Sequence, residues 1–184
     1  MGPWQDGDEQ PLGVILGGQA LLEGYRLAAD GQGQPPGAPW QVAVVPGGKL
    51  LMRLRWRPLR PAEQPDLRLF FHLVDAKQQH WSGKDLTAYP SSAWHGGERL
   101  LTWVELPVPG QAPPGKYELR AGAYSYADRK PLPVTDEHGG DLGESAVLAT
   151  LKVLPRPVGV MPANQLEAGL ASGPKLLGYE LWRQ

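Results

Sequence analysis

The chain of 184 residues contains no cysteine. Disulfide bridges, thiol nucleophiles and zinc–thiolate centres are therefore excluded. It also lacks any run of 18 apolar residues, so no segment reads as a membrane-spanning helix. No excess of charge of either sign is present: 18 basic and 19 acidic side chains leave a formal charge of -1. That balance supplies neither the basic footprint that nucleic acid requires nor a polybasic stripe for anionic lipid. Met1 to Asp6 carry no basic or apolar run, so no signal peptide is read there; in a longer parent chain such signals lie upstream. Helical periodicity is scarce as well. Only Asn164–Ala171 reads as helix-like, and it is short and poorly capped.

What the chain has is turns and alternation. Its 24 glycines and 20 prolines make up about a quarter of the residues, close to twice the usual share. Hydrophobic residues at 41% and a mean hydropathy of -0.35 still describe a chain that folds. Period-2 patterning is the dominant signal. Leu50, Met52, Leu54 and Trp56 fall on one face with Arg53, Arg55 and Arg57 on the other. Leu67, Leu69, Phe71 and Leu73 alternate with Arg68 and His72, and Tyr117, Leu119, Ala121 and Ala123 with Glu118 and Arg120. Val147, Ala149, Leu151 and Val153 alternate with Thr150 and Lys152. Each set predicts a half-buried antiparallel strand, apolar inward.

Weaker strands are expected near Val14–Leu16, Leu21–Ala28, Gln41–Val45, Leu100–Leu106 and Leu176–Trp182. Turn signals such as Pro46-Gly47-Gly48, Gly96-Gly97 and Pro113-Pro114-Gly115 separate them. The fold class expected is all-β: an antiparallel sandwich, immunoglobulin-like in broad topology. Gly115-Lys116-Tyr117 at a strand entrance has the form of a tyrosine corner, in which the phenol bonds backbone upstream. A plain core tyrosine fits the same residues. Residues 1–11 read as an extension, 12–154 as the sandwich and 155–184 as a linker with a last strand.

One stretch recurs. Leu22-Glu23-Gly24-Tyr25-Arg26-Leu27 matches Leu176-Leu177-Gly178-Tyr179-Glu180-Leu181 at an offset of 154 residues, and Leu12 and Leu16 then match Leu166 and Leu170. That spacing is the size of one sandwich. Either residues 166–184 begin a second copy, or one sandwich opens and closes with similar strands.

Six stretches carry a family resemblance: Leu22–Leu27, Pro46–Arg57, Leu69–Asp75, Asp85–Glu98, Pro113–Tyr124 and Arg129–Val134. In this order they resemble a soluble β-sandwich domain of bacterial membrane glycosyltransferase-like proteins (dolichyl-phosphate-mannose–protein mannosyltransferase-like) and related envelope proteins. The resemblance touches most of Leu21–Val153. It implies an extracytoplasmic accessory module, partnered by a glycan or a membrane glycosyltransferase-type domain. The motifs are structural, so it transfers no catalytic residue and no cofactor.

Candidate chemistry is thin. His72 and His80 flank a hairpin with Asp75 between them, but a metal needs three or four converging ligands. The acidic residues Asp128, Asp136, Glu137, Asp141 and Glu144 lack the regular spacing of a calcium loop. Asp75 with Asp85, or Glu98 with Glu105, are carboxylate pairs that nothing singles out. Ser91 or Ser92 with His95 and Asp85 holds a triad's ingredients without a nucleophile elbow. No metal, no cofactor and no catalytic residue are expected.

The stretch Lys77–Arg99 reads as a long connection rich in aromatics, including Trp81, Tyr89 and Trp94, with Asp85 and His95 beside them. Sugar rings stack their C–H faces on such side chains, and a carboxylate bonds their hydroxyls. These five residues form the expected ligand surface. The competing reading is that Trp94 plugs the sandwich. The function expected is a non-catalytic, glycan-binding accessory module; the alternative is a protein–protein or domain–domain scaffold with no small ligand.

Overall fold

The computed structural model describes residues 9–29, 42–61, 67–86, 89–155, 164–169 and 175–179. Two sheets pack face to face. The first contains six strands in the order β10-β9-β1-β2-β4-β7: β1 Gln10–Leu16, β2 Ala20–Ala29, β4 Lys49–Pro58, β7 Leu100–Pro107, β9 Val134–Asp136 and β10 Asp141–Gly143. The second contains five in the order β3-β11-β8-β5-β6: β3 Val42–Val44, β5 Leu67–Asp75, β6 His80–Leu86, β8 Gly115–Ser125 and β11 Ala146–Val153. The sandwich expected from the alternation is present. All ladders between these strands are antiparallel except β3 with β11, which run parallel.

The core is the meeting of the inward faces. Leu67, Leu69, Phe71 and Leu73 from β5 are buried together with Tyr117 and Leu119 from β8 and Leu151 and Val153 from β11, as the period-2 pattern requires. Opposite them lie Leu50, Met52, Leu54 and Trp56 from β4. Burying each such side chain stabilises the fold by about 1.5–3 kcal/mol. One polar link pins the layers and a second fixes the entrance to β8. The Tyr25 hydroxyl of β2 donates to the Leu148 carbonyl of β11 across the sandwich, at 2.7 Å. The Tyr117 hydroxyl donates to the Pro113 carbonyl at 2.9 Å, four residues upstream, which is the bond a tyrosine corner makes.

Three expectations are corrected by pairing. Arg53 faces outward but is buried, because Glu9 lies over it and accepts a hydrogen bond from Nη2 at 2.9 Å. In β11 a bulge between Val147 and Ala149 shifts the alternation, so Ala146 and Leu148 turn inward and Val147 is exposed. Asn164–Gly169 is strand β12, not helix, and pairs antiparallel with β13, Lys175–Tyr179. Sheet pairing overrode a weak local preference. The terminal strand expected over Leu176–Trp182 is thus described as far as Tyr179, and its partner is β12. Leu181 and Trp182 lie outside the described residues.

Among the described residues no helix is long and apolar enough to cross a membrane.

Candidate functional site

The long connection expected over Lys77–Arg99 contains a strand. Residues His80–Leu86 form β6 at the edge of the five-stranded sheet, and Ser91–Ala93 form a short 3-10 turn. The alternation of β6 is broken by a bulge near Trp81 and by Gly83, which hides it in the sequence. Consequently the five expected ligand residues go to different places.

Trp94 is 4% exposed and sits in the core, its ring edge-on to Trp56 with centroids 5.2 Å apart. Its indole N–H donates to the Tyr89 carbonyl at 3.2 Å. Tyr89 and His95 tie the same loop to Glu98: the Tyr89 hydroxyl lies 2.7 Å from Glu98 Oε2, and His95 Nδ1 lies 3.1 Å from Oε1. The Tyr89 bond holds the Glu98 carboxyl below its usual range and raises the Tyr89 phenol. Trp81 is half-buried near Tyr117, and its N–H donates to Asp75 at 3.0 Å. Asp75 also accepts the backbone N–H groups of Lys77 and Gln79, so it closes the β5–β6 turn. Ser91 is buried and its Oγ accepts from Leu67 N–H at 3.0 Å. These contacts hold the turn and the loop together. They leave Asp85.

Asp85 lies on the outward face of the five-stranded sheet, directly opposite Phe70 in the β5–β6 ladder. Its Oδ2 accepts a 2.6 Å hydrogen bond from the Tyr124 hydroxyl of β8. Burial and this bond, with its nearby carboxylate, raise the Tyr124 phenol pKa. Around the pair runs a row of rings. Phe70 and His72, on β5, stack with centroids 4.3 Å apart and planes 28° from parallel. His80 meets His72 edge to face at 4.4 Å, and Tyr124 lies 6.2 Å from Phe70.

Two glycines allow the rings to lie down. Gly122 is the ladder partner of Phe70 and Gly83 that of His72. A Cβ on Gly122 would overlap Phe70 Cζ and come within 2.7 Å of the Glu144 carbonyl oxygen. A Cβ on Gly83 would lie 2.7 Å from His72 Cδ2. Bare backbone under each ring therefore lets it approach the sheet closely. One end of the row is cationic. Arg68 and Arg129 place their guanidinium groups 5.0 and 4.3 Å from the Tyr126 ring, and Arg129 Nη1 donates to the Tyr124 hydroxyl at 3.2 Å.

This arrangement offers a cluster of aromatic rings with a carboxylate and guanidinium groups beside it. The sequence carried part of the signal: period 2 puts Arg68, Phe70 and His72 on one face of β5. Placing Tyr124, Gly122 and Asp85 alongside them required the strand register.

His72 is held below its ordinary pKa by burial, and the neighbouring His80 lowers it further while Asp85 opposes. The unfolded chain thus binds the His72 proton more readily than the folded one. Stability is then expected to fall as the pH drops through the ordinary histidine value near 6.5, and to level off below the depressed folded value. Melting curves at pH 7.5, 6.0 and 5.0 check this. His72→Phe should show a smaller loss across that window, and an unchanged loss would contradict the assignment.

Elsewhere, Asp136 accepts from His138 and Gly140 N–H groups and Asp141 from Gly143 N–H, so these acidic residues shape turns. No group of three His, Asp or Glu placed to hold a metal occurs among the described residues. The outward face of the six-stranded sheet has a cavity of about 580 Å³. Its charges engage one another: Glu23 lies 3.1 Å from Arg57 and 3.5 Å from Arg55.

No family model and no curated protein matches the chain. Among solved structures, the crystal structure of the C-terminal domain of wzt is similar at 13% identity and a TM-score of 0.49, covering 85% of this chain and 83% of that one.

Proposed function

We propose that this chain is a non-catalytic glycan-binding module of the cell envelope, and that the glycan lies along β5, β6 and β8 on the outward face of the five-stranded sheet. The observation that carries the reading is the cluster of Phe70, His72 and Tyr124, seated close over Gly122 and Gly83 beside Asp85. Pyranose C–H faces stack on such rings, and Asp85, Arg68 and Arg129 bond ring hydroxyls or acidic substituents. An extracytoplasmic location and a membrane glycosyltransferase-type partner follow from the motif resemblance in Leu21–Val153.

Probing a glycan array with the purified chain tests the reading. Binding to a related set of glycans that Phe70→Ala abolishes is the expected result. The scaffold alternative draws on a different surface, Leu101 and Trp103, which are 54% and 56% exposed on the edge strand β7. In the glycan reading Trp103→Ala leaves array binding unchanged. An array without hits, or hits lost on Trp103→Ala and kept on Phe70→Ala, contradicts it.

A further inference from the structure

The β12–β13 hairpin repeats the β1–β2 hairpin residue for residue. In the first, Gln10 pairs with Tyr25, Pro11 with Gly24, Val14 with Leu22 and Ile15 with Leu21, with an irregularity between Pro11 and Val14. In the second, Asn164 pairs with Tyr179, Gln165 with Gly178, Ala168 with Leu176 and Gly169 with Lys175, with the irregularity between Gln165 and Ala168. Adding 154 to each of these eight residues of the first ladder gives the second. A bulge fixes the register on either side of it, and bulges hold fixed places within a fold.

The matching residues are the ones the first hairpin buries. Leu16, Leu22, Tyr25 and Leu27 are buried, and Leu170, Leu176, Tyr179 and Leu181 stand at the equivalent positions. The outward Glu23 and Arg26 are replaced by Leu177 and Glu180. Identity at these four inward positions is what a shared packing surface preserves, and similarity of the turn alone would not produce it. In the sandwich, β2 is completed by β4 and β1 by β9. Among the described residues, neither outer edge of β12–β13 is paired with another strand. A two-stranded hairpin is marginal by itself, and open edges invite a strand.

We propose that β12 and β13 are the opening hairpin of a second sandwich built on the same plan, with the edge of β13 seating a strand in β4's role and that of β12 one in β9's role. The kind of partner is fixed by the first copy: a strand alternating as Leu50, Met52, Leu54 and Trp56 do, apolar toward the new core.

The test is a graft within the full chain. Residues 10–29 are replaced by the sequence of residues 164–183, of equal length, and a control carries those twenty residues in shuffled order. The graft is expected to give β-sheet circular dichroism and a cooperative melt, and the shuffled control neither. A graft that behaves like the control overturns the proposal. In parallel, ending the chain after residue 155 is expected to move the melting temperature by less than about 3 °C, below the effect of one substantial lost interaction. A larger fall would assign the hairpin to the first sandwich and overturn the proposal independently of the graft.

Discussion

Trp94→Ala is expected to destabilise the protein by about 3–5 kcal/mol while leaving glycan affinity intact wherever the variant is still folded. The indole fills the space beside Trp56 and is nearly solvent-free. Removing it leaves a cavity beside Trp56, whose own N–H is held by Thr102 Oγ1 at 3.0 Å. It also removes the donor that ties the loop to the Tyr89 carbonyl. Against a typical domain stability of about 5–15 kcal/mol, that loss is a large fraction of the whole. Thermal and denaturant melts measure it. A variant that melts like the parent but binds glycan more weakly would return Trp94 to the role of a stacking platform.

Gly122→Ala has a large expected effect for the opposite reason, because it adds an atom where none fits. The new methyl would meet the Phe70 ring and the Glu144 carbonyl oxygen at once. Overpacking of this kind costs about 1–3 kcal/mol. Phe70 must also lift off the sheet, so glycan affinity should fall along with the melting temperature. The two residues are ladder partners, so their substitutions should not be additive. Phe70→Ala in the Gly122→Ala background is expected to recover part of the lost stability. Additive losses in the double variant would show that the ring does not rest on this glycine.

The strands with unbroken alternation, β4, β5 and β8, were legible in the sequence because one face of each is wholly inside. Where a bulge interrupts the period, as at Val147 and near Trp81, the pattern misassigned a face or concealed a strand. Arg53 read as solvated because nothing local signals that Glu9, 44 residues away, covers it. The candidate site was legible at Asp85 and in the outward alternation of Arg68 and His72. Trp94 attracted attention by its type and its place in an apparent loop, yet a tryptophan's fate depends on which layer its loop covers. Phe70 and Tyr124 lie 54 positions apart, and only the β5–β8 register makes Phe70 face Gly122 with Tyr124 beside them.

The most direct measurement of the central claim is a calorimetric titration of the best array ligand into the parent protein and into Phe70→Ala. Stacking on one aromatic ring contributes about 1–3 kcal/mol with planar ligands, which corresponds to roughly a 5- to 150-fold change in Kd. The account predicts a weakening of that size in a variant that keeps its cooperative melt. An unchanged Kd in a folded Phe70→Ala would contradict the placement of the glycan on the outward face of the five-stranded sheet.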